Sequence, residues 1–76
     1  KLTKKMLEAY HDRLYNDFEK IMKADKHLLF KMKEMWTYMS LNFGDSHKCA
    51  KLIRKAQNLY KYNLAVNEIF EKYELK

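Results

Sequence analysis

The sequence predicts an all-α fold, a compact bundle of about four antiparallel helices in a single domain that covers residues 1–76. Three observations support this prediction. The chain has no proline and one glycine, so it lacks the usual residues of β-hairpin turns. Apolar residues recur every three or four positions, which is the period of a helix with one buried face. The segments between these apolar stripes are short, and short connections favour antiparallel neighbours.

The first two helices are predicted from their caps and apolar stripes. Thr3 can cap the first helix, whose inward face is expected to be Leu7, Tyr10, Leu14, Phe18 and Ile21. Asp25 can cap the second helix, whose stripe is Leu29, Met32, Trp36, Met39 and Phe43, widened by Leu28 and Met35. Gly44 follows directly and is predicted to end this helix in a left-handed conformation.

Two further helices follow the glycine. Asp45 or Ser46 is predicted to cap a short third helix, with an inward face of Cys49, Leu52, Ile53 and Ala56. Asn58 is predicted to cap a fourth helix, with an inward face of Leu59, Tyr62, Val66, Ile69, Phe70 and Tyr73. The inward residues of the four helices are the candidate core.

Composition excludes several classes of protein. One glycine cannot build a glycine-rich phosphate loop. A single cysteine cannot form a disulfide framework, which indicates an intracellular, cytoplasmic chain. The longest apolar run, Leu28–Phe30, is too short to span a membrane, so no membrane partner is expected. The chain begins at Lys1 without a methionine, and we interpret it as a piece of a longer protein.

The positive charge is concentrated in the middle of the chain. Residues 26–61 carry the whole net charge of +6, and residues 46–63 contain five basic residues and no carboxylate. Four of the basic residues share one face of the third helix: Lys48, Lys51, Arg54 and Lys55. Lys31 and Lys33 of the second helix add charge if the two helices are neighbours. Such a field attracts polyanions, so an anionic partner, with nucleic acid as the leading candidate, is predicted. The alternative is a solvated face that keeps a small domain in solution.

No catalytic or metal site is predicted. His11, His27 and His47 do not pair at ligand spacing, so they are expected at the surface or at helix caps. Cys49 falls on an inward stripe, where a buried structural thiol is more reasonable than a nucleophile. The carboxylates mostly fall between inward positions and are expected to be solvated.

Three aromatic residues do not fit the inward stripes: Phe30, Tyr38 and Tyr60. Phe30 precedes Lys31, and Tyr60 precedes Lys61. Aromatic rings beside cations can stack on nucleic-acid bases, and they can equally pack against a partner domain. The sequence leaves both interpretations open.

Three segments resemble the C-terminal helical domain of bacterial tRNA-dihydrouridine synthases. Residues 10–15 (Tyr-His-Asp-Arg-Leu-Tyr) are similar to the opening of that domain. Residues 28–36, followed by Tyr38 and Met39, are similar to its Leu-Phe-Lys-Met-Lys-Glu-Leu-Trp stretch. Residues 53–56 (Ile-Arg-Lys-Ala) and the helix after them are similar to its last segment. The order and approximate spacing agree over about residues 7–70.

The resemblance implies a larger parent enzyme in which a TIM barrel precedes this domain. That barrel would hold FMN and the catalytic cysteine and would reduce a uridine of tRNA with hydride from NADPH. The present chain would hold no cofactor and catalyse nothing, and its partners would be tRNA and the barrel. The resemblance implies RNA contacts for Lys31, Lys33, Arg54 and Lys55, whereas Lys48 and Lys51 join them by helical spacing only. Gln57 departs from the basic residue often found there, and Phe30 and Tyr38 could instead contact the barrel.

Two alternatives come from other classes of protein. The second helix, the turn at residues 44–46 and the basic third helix are compatible with a helix-turn-helix DNA-binding domain, although the third helix lacks the polar residues expected to read base edges. A protein-interaction module, docking through Phe30, Tyr38 and Tyr60, is the other alternative.

Overall fold

Four helices form where the sequence places its apolar stripes. The computed structural model describes residues 1–76 and contains α1 (Lys4–Ile21), α2 (Asp25–Met39), α3 (Ser46–Lys55) and α4 (Leu59–Lys72). A 3-10 turn at Ser40–Asn42 follows α2. The prediction of an all-α bundle is confirmed.

Two of the predicted helix caps are present. The Thr3 hydroxyl accepts a hydrogen bond from the Met6 backbone N–H at 3.1 Å. The Asn58 side-chain oxygen accepts one from the Lys61 N–H at 2.8 Å. Each bond satisfies an N–H group that the first turn of a helix otherwise leaves without an acceptor.

The other two helices begin without a side-chain cap. Asp25 is the first residue of α2 and Ala24 precedes it, so the prediction of Asp25 as the cap is wrong. Its carboxylate still lies in the first turn, where the helix dipole favours a negative charge. Asp45 precedes α3, but its side chain makes no capping hydrogen bond.

The end of α2 also differs from the prediction. No residue has a positive φ, so Gly44 does not form a left-handed helix stop. The chain leaves α2 through the 3-10 turn, and the Gly44 N–H donates to the Glu74 carbonyl at 2.9 Å. The Lys76 N–H donates to the Asn42 carbonyl at 3.0 Å. The C-terminal residues thus form backbone hydrogen bonds with the segment after α2. In a local turn, these backbone groups would bond to residues close by in the sequence.

Side-chain contacts show how the helices run. The ammonium group of Lys31 in α2 lies over the Phe18 ring near the end of α1. At the other end of α1, the Lys4 ammonium donates to the Tyr73 carbonyl, just after α4, at 2.9 Å. Farther along α1, the Tyr15 hydroxyl accepts from the Asn63 side-chain amide near the start of α4 at 3.5 Å. The start of α1 thus lies at the end of α4, and the two helices are antiparallel.

One core lies between the helices. Its 15 buried hydrophobic residues form a single cluster, and the largest fully buried side chains are Trp36, Tyr62, Phe43 and Met32. The predicted α2 stripe is buried throughout, although Phe43 lies beyond the helix end. The predicted inward residues of α3 and α4 are buried or half-buried. Because apolar burial drives folding of so small a chain, these stripes account for the arrangement of the helices.

The prediction of which α1 residues face the core is partly wrong. Tyr10 and Ile21 are 53% and 67% exposed, whereas His11 is only 3% exposed. His11 was expected at the surface or at a helix cap, and this prediction is wrong because its side chain lies in the core. His11 faces the core, where its Nε2 lies 2.7 Å from the hydroxyl group of Tyr62 in α4.

Candidate nucleic-acid interface

A groove between α2 and the end of α3 brings together basic residues from both helices. We call it the basic groove; it has a volume of about 540 Å³ and is lined by Lys26, Leu29, Phe30, Lys33, Arg54, Lys55, Ala56 and Gln57. Four of these side chains are cationic and none is a carboxylate. Like charges held this close repel one another, and a bound polyanion would relieve the repulsion.

A hydrogen bond closes one side of this groove. The Lys33 ammonium donates to the Arg54 backbone carbonyl at 3.1 Å. That carbonyl belongs to the last turn of α3, where carbonyl groups lack helical partners and the helix dipole favours a cation. Lys33 therefore ties α2 to α3 and adds positive charge to the groove, while the Arg54 guanidinium stays exposed.

The seam between α2 and α3 continues beyond the basic groove. A second groove of about 430 Å³ shares Lys33 and Arg54 and reaches Leu41 and His47 at its other end. It also contains no carboxylate. Neither of the two grooves between α2 and α3 is lined by a carboxylate.

The predicted RNA-binding residues divide into two groups. Lys33, Arg54 and Lys55 line the basic groove, and Lys51 is exposed on α3 without an ion pair. Lys31 and Lys48 carry charges that neighbouring carboxylates partly neutralise. The Lys31 ammonium lies 3.3 Å from Glu34 and 5.4 Å from the centre of the Phe18 ring, and the Lys48 ammonium lies 3.8 Å from Asp45.

Lys26 is a groove residue that the sequence interpretation did not select. It lines the basic groove together with Lys55. Lys26, Phe30 and Lys33 are separated by steps of four and three, so they share one face of α2. The spacing could have shown from the sequence that these three residues share a face. Only the structure shows that this face meets the end of α3.

The three aromatic residues outside the predicted stripes are exposed. Phe30, Tyr38 and Tyr60 are 66%, 68% and 73% exposed. Of these, Phe30 lines the basic groove and Tyr38 and Tyr60 do not. The three side chains therefore do not form one surface around this groove.

The buried histidine belongs to a polar network inside the core. The Trp36 indole N–H donates to the Tyr62 hydroxyl at 2.9 Å, and that hydroxyl lies 2.7 Å from His11 Nε2. His11 Nδ1 lies 3.0 Å from an Asp12 carboxylate oxygen. A carboxylate only accepts, so Nδ1 of the neutral ring carries the proton, and Nε2 accepts from the Tyr62 hydroxyl. No buried polar side-chain atom lacks a hydrogen-bond partner.

Cys49 also belongs to the core. It is fully buried and unpaired. Burial, with a smaller contribution from the negative charge of Asp45, raises the pKa of the Cys49 thiol from 9.0 to about 11. A thiol with this pKa is protonated near neutral pH, whereas the thiolate is the nucleophile. The prediction that Cys49 is buried is confirmed.

No three His, Cys, Asp or Glu side chains lie close enough together to hold a metal ion. None of the helices has the length and apolar character needed to cross a membrane. No protein-family model, curated protein or solved structure matches this chain.

Proposed function

We propose that this chain is a tRNA-binding helical domain that positions tRNA for a dihydrouridine synthase-like flavoenzyme. The observation that carries the proposal is the basic groove, where cations of α2 and α3 converge without a carboxylate. Phosphate contacts by lysine and arginine release counterions and supply most of the sequence-independent affinity for nucleic acid. The chemistry of such an enzyme would belong to a separate flavin domain.

The resemblance in three segments supports the particular choice of RNA. Two of those segments, residues 28–36 and 53–56, provide Lys33, Arg54 and Lys55, which line one groove. The cytoplasmic parent enzyme would carry FMN and NADPH in its barrel, and this domain would hold neither. Recognition would depend on the shape and phosphate pattern of a folded RNA more than on base identity.

The experiment is a titration of the chain with folded tRNA at several salt concentrations. Fluorescence anisotropy measures the binding. For about four to six phosphate contacts, we expect the slope of log affinity against log salt to be roughly −3 to −5. Lys55→Gln should weaken binding at every salt concentration and reduce the magnitude of the slope by about 1. Duplex DNA of similar length is the competitor.

A matched control is Lys5→Gln, which makes the same charge change on an exposed residue. Lys5 lies at the start of α1, next to Lys4, which contacts the residues after α4. The basic groove instead lies beside the first half of α2, so Lys5→Gln should affect binding less than Lys55→Gln. Equal effects of the two variants would mean that only net charge matters. Absence of tRNA binding at low salt would contradict the proposal, and a preference for duplex DNA would favour the helix-turn-helix alternative.

A further inference from the structure

Phe30 is an exposed aromatic residue with open space on two sides. It lines the basic groove, and it also lines a neighbouring groove of about 620 Å³ that extends to Met22, just after α1. Its side chain is 66% exposed. A ring in this position can present its face to a planar group without any rearrangement of the helices.

The charged side chains around Phe30 are mainly cationic. Lys26 and Lys33 lie one turn before and one turn after it on the same face of α2. Across the basic groove lie Arg54 and Lys55 of α3. The one carboxylate in the neighbouring groove, Glu34, is paired with Lys31 at 3.3 Å. The centres of protein–protein interfaces are depleted of charged residues, so these surroundings favour a ligand that combines a planar ring with negative charge.

We propose that Phe30 stacks on an unpaired base of RNA while Lys33, Arg54 and Lys55 bind the phosphates beside that base. This inference rests on the proposed RNA-binding function and specifies which part of an RNA occupies the basic groove. Bases inside a duplex are already stacked on each other, whereas bases of loops and single strands present a free face. The groove therefore selects a loop or other unpaired segment over a continuous double helix.

The test compares two RNA probes with the same stem. One is a hairpin with a seven-nucleotide loop, and the other is a blunt duplex with an equal number of phosphates. The variant Phe30→Leu keeps an apolar side chain and removes the aromatic face. We expect it to weaken hairpin binding about five-fold or more, since stacking on an aromatic residue contributes at least that much per base. Duplex binding should stay unchanged, and Phe30→Tyr should bind the hairpin about as tightly as the unmodified chain.

Tyr38→Leu is the matched control because Tyr38 is an equally exposed aromatic residue of α2 that lines neither groove. It should leave hairpin binding unchanged. If the chain binds the hairpin and Phe30→Leu binds it equally well, stacking is refuted, the proposed function survives, and Phe30 is available for a protein surface. If Phe30→Leu weakens both probes equally, selection of unpaired bases is refuted. If the unmodified chain binds neither probe, both proposals fail.

Discussion

The hydroxyl group of Tyr62 is expected to be one of the most important single polar groups for stability. Tyr62 is fully buried, and its hydroxyl contacts Trp36 Nε1 at 2.9 Å and His11 Nε2 at 2.7 Å. The variant Tyr62→Phe keeps the ring and removes only this oxygen. It leaves an indole N–H and an imidazole nitrogen in the core without their partners.

The magnitude follows from the cost of such unpaired groups. A buried donor or acceptor that loses its partner costs about 1–3 kcal/mol. Two groups lose a partner here, so we expect Tyr62→Phe to lower the free energy of unfolding by about 2–4 kcal/mol. A domain of 76 residues typically has a total stability of about 4–11 kcal/mol. The substitution should therefore remove a large part of the stability and lower Tm by roughly 10 °C or more.

The assay is urea denaturation. Unfolding is monitored by circular dichroism and by the fluorescence of Trp36, the single tryptophan of the chain. The matched control is Tyr15→Phe. Tyr15 is half-buried and stacks on Tyr62 with ring centres 6.1 Å apart. Its hydroxyl has one exposed contact, to Asn63 at 3.5 Å. A bond of this length contributes little, so Tyr15→Phe should change the stability by about 0.5 kcal/mol or less.

A second variant separates the hydrogen bonds from the packing. His11→Leu combined with Tyr62→Phe removes both partners of the shorter hydrogen bond, so the double variant should be more stable than the sum of the single effects allows. If Tyr62→Phe were as stable as Tyr15→Phe, or if the two single effects were simply additive, the network would not stabilise the fold and this reasoning would be refuted.

Three other predictions concern α3 and α4. Cys49 should resist alkylation in the folded chain at pH 8 and react rapidly in urea; fast modification of the folded chain would show that the thiol is accessible. Because folding raises the pKa of Cys49 from 9.0 to about 11, its contribution to stability is fully present below pH 9 and is lost as the pH rises towards 11. Urea titrations across this range should show a smaller decrease in stability for Cys49→Ala than for the unmodified chain. Asn58→Ala removes the α4 cap and should cost about 1 kcal/mol in the same titration, whereas Asn67→Ala, at an exposed position within α4, should not destabilise the chain.

Much of the fold follows from the sequence because helices and their buried faces depend on local periodicity. The α2 stripe from Leu29 to Phe43 lies in the core as the spacing predicts. Thr3 and Asn58 cap their helices because the capping bond joins residues only three positions apart. The basic face of α3 is equally local, since its residues are one turn apart.

The sequence-based predictions are wrong where contacts between residues far apart in the chain determine the local structure. His11 is buried because Tyr62, 51 positions away, supplies a hydroxyl to its ring. Gly44 needs no left-handed conformation because its N–H finds an acceptor in Glu74, at the far end of the chain. Neither contact leaves a periodic signal in the sequence.

The sequence by itself determined four amphipathic helices, their approximate limits and an excess of positive charge in the middle of the chain, because each of these is a property of neighbouring residues. Only the tertiary structure decided that Lys26, Phe30 and Lys33 of α2 face Arg54 and Lys55 of α3 across one groove. The physical reason is that a groove forms where two helices pack. Its residues are set by the orientation of each helix around its axis, and that orientation depends on the whole core, including the hydrogen bonds among His11, Tyr62 and Trp36.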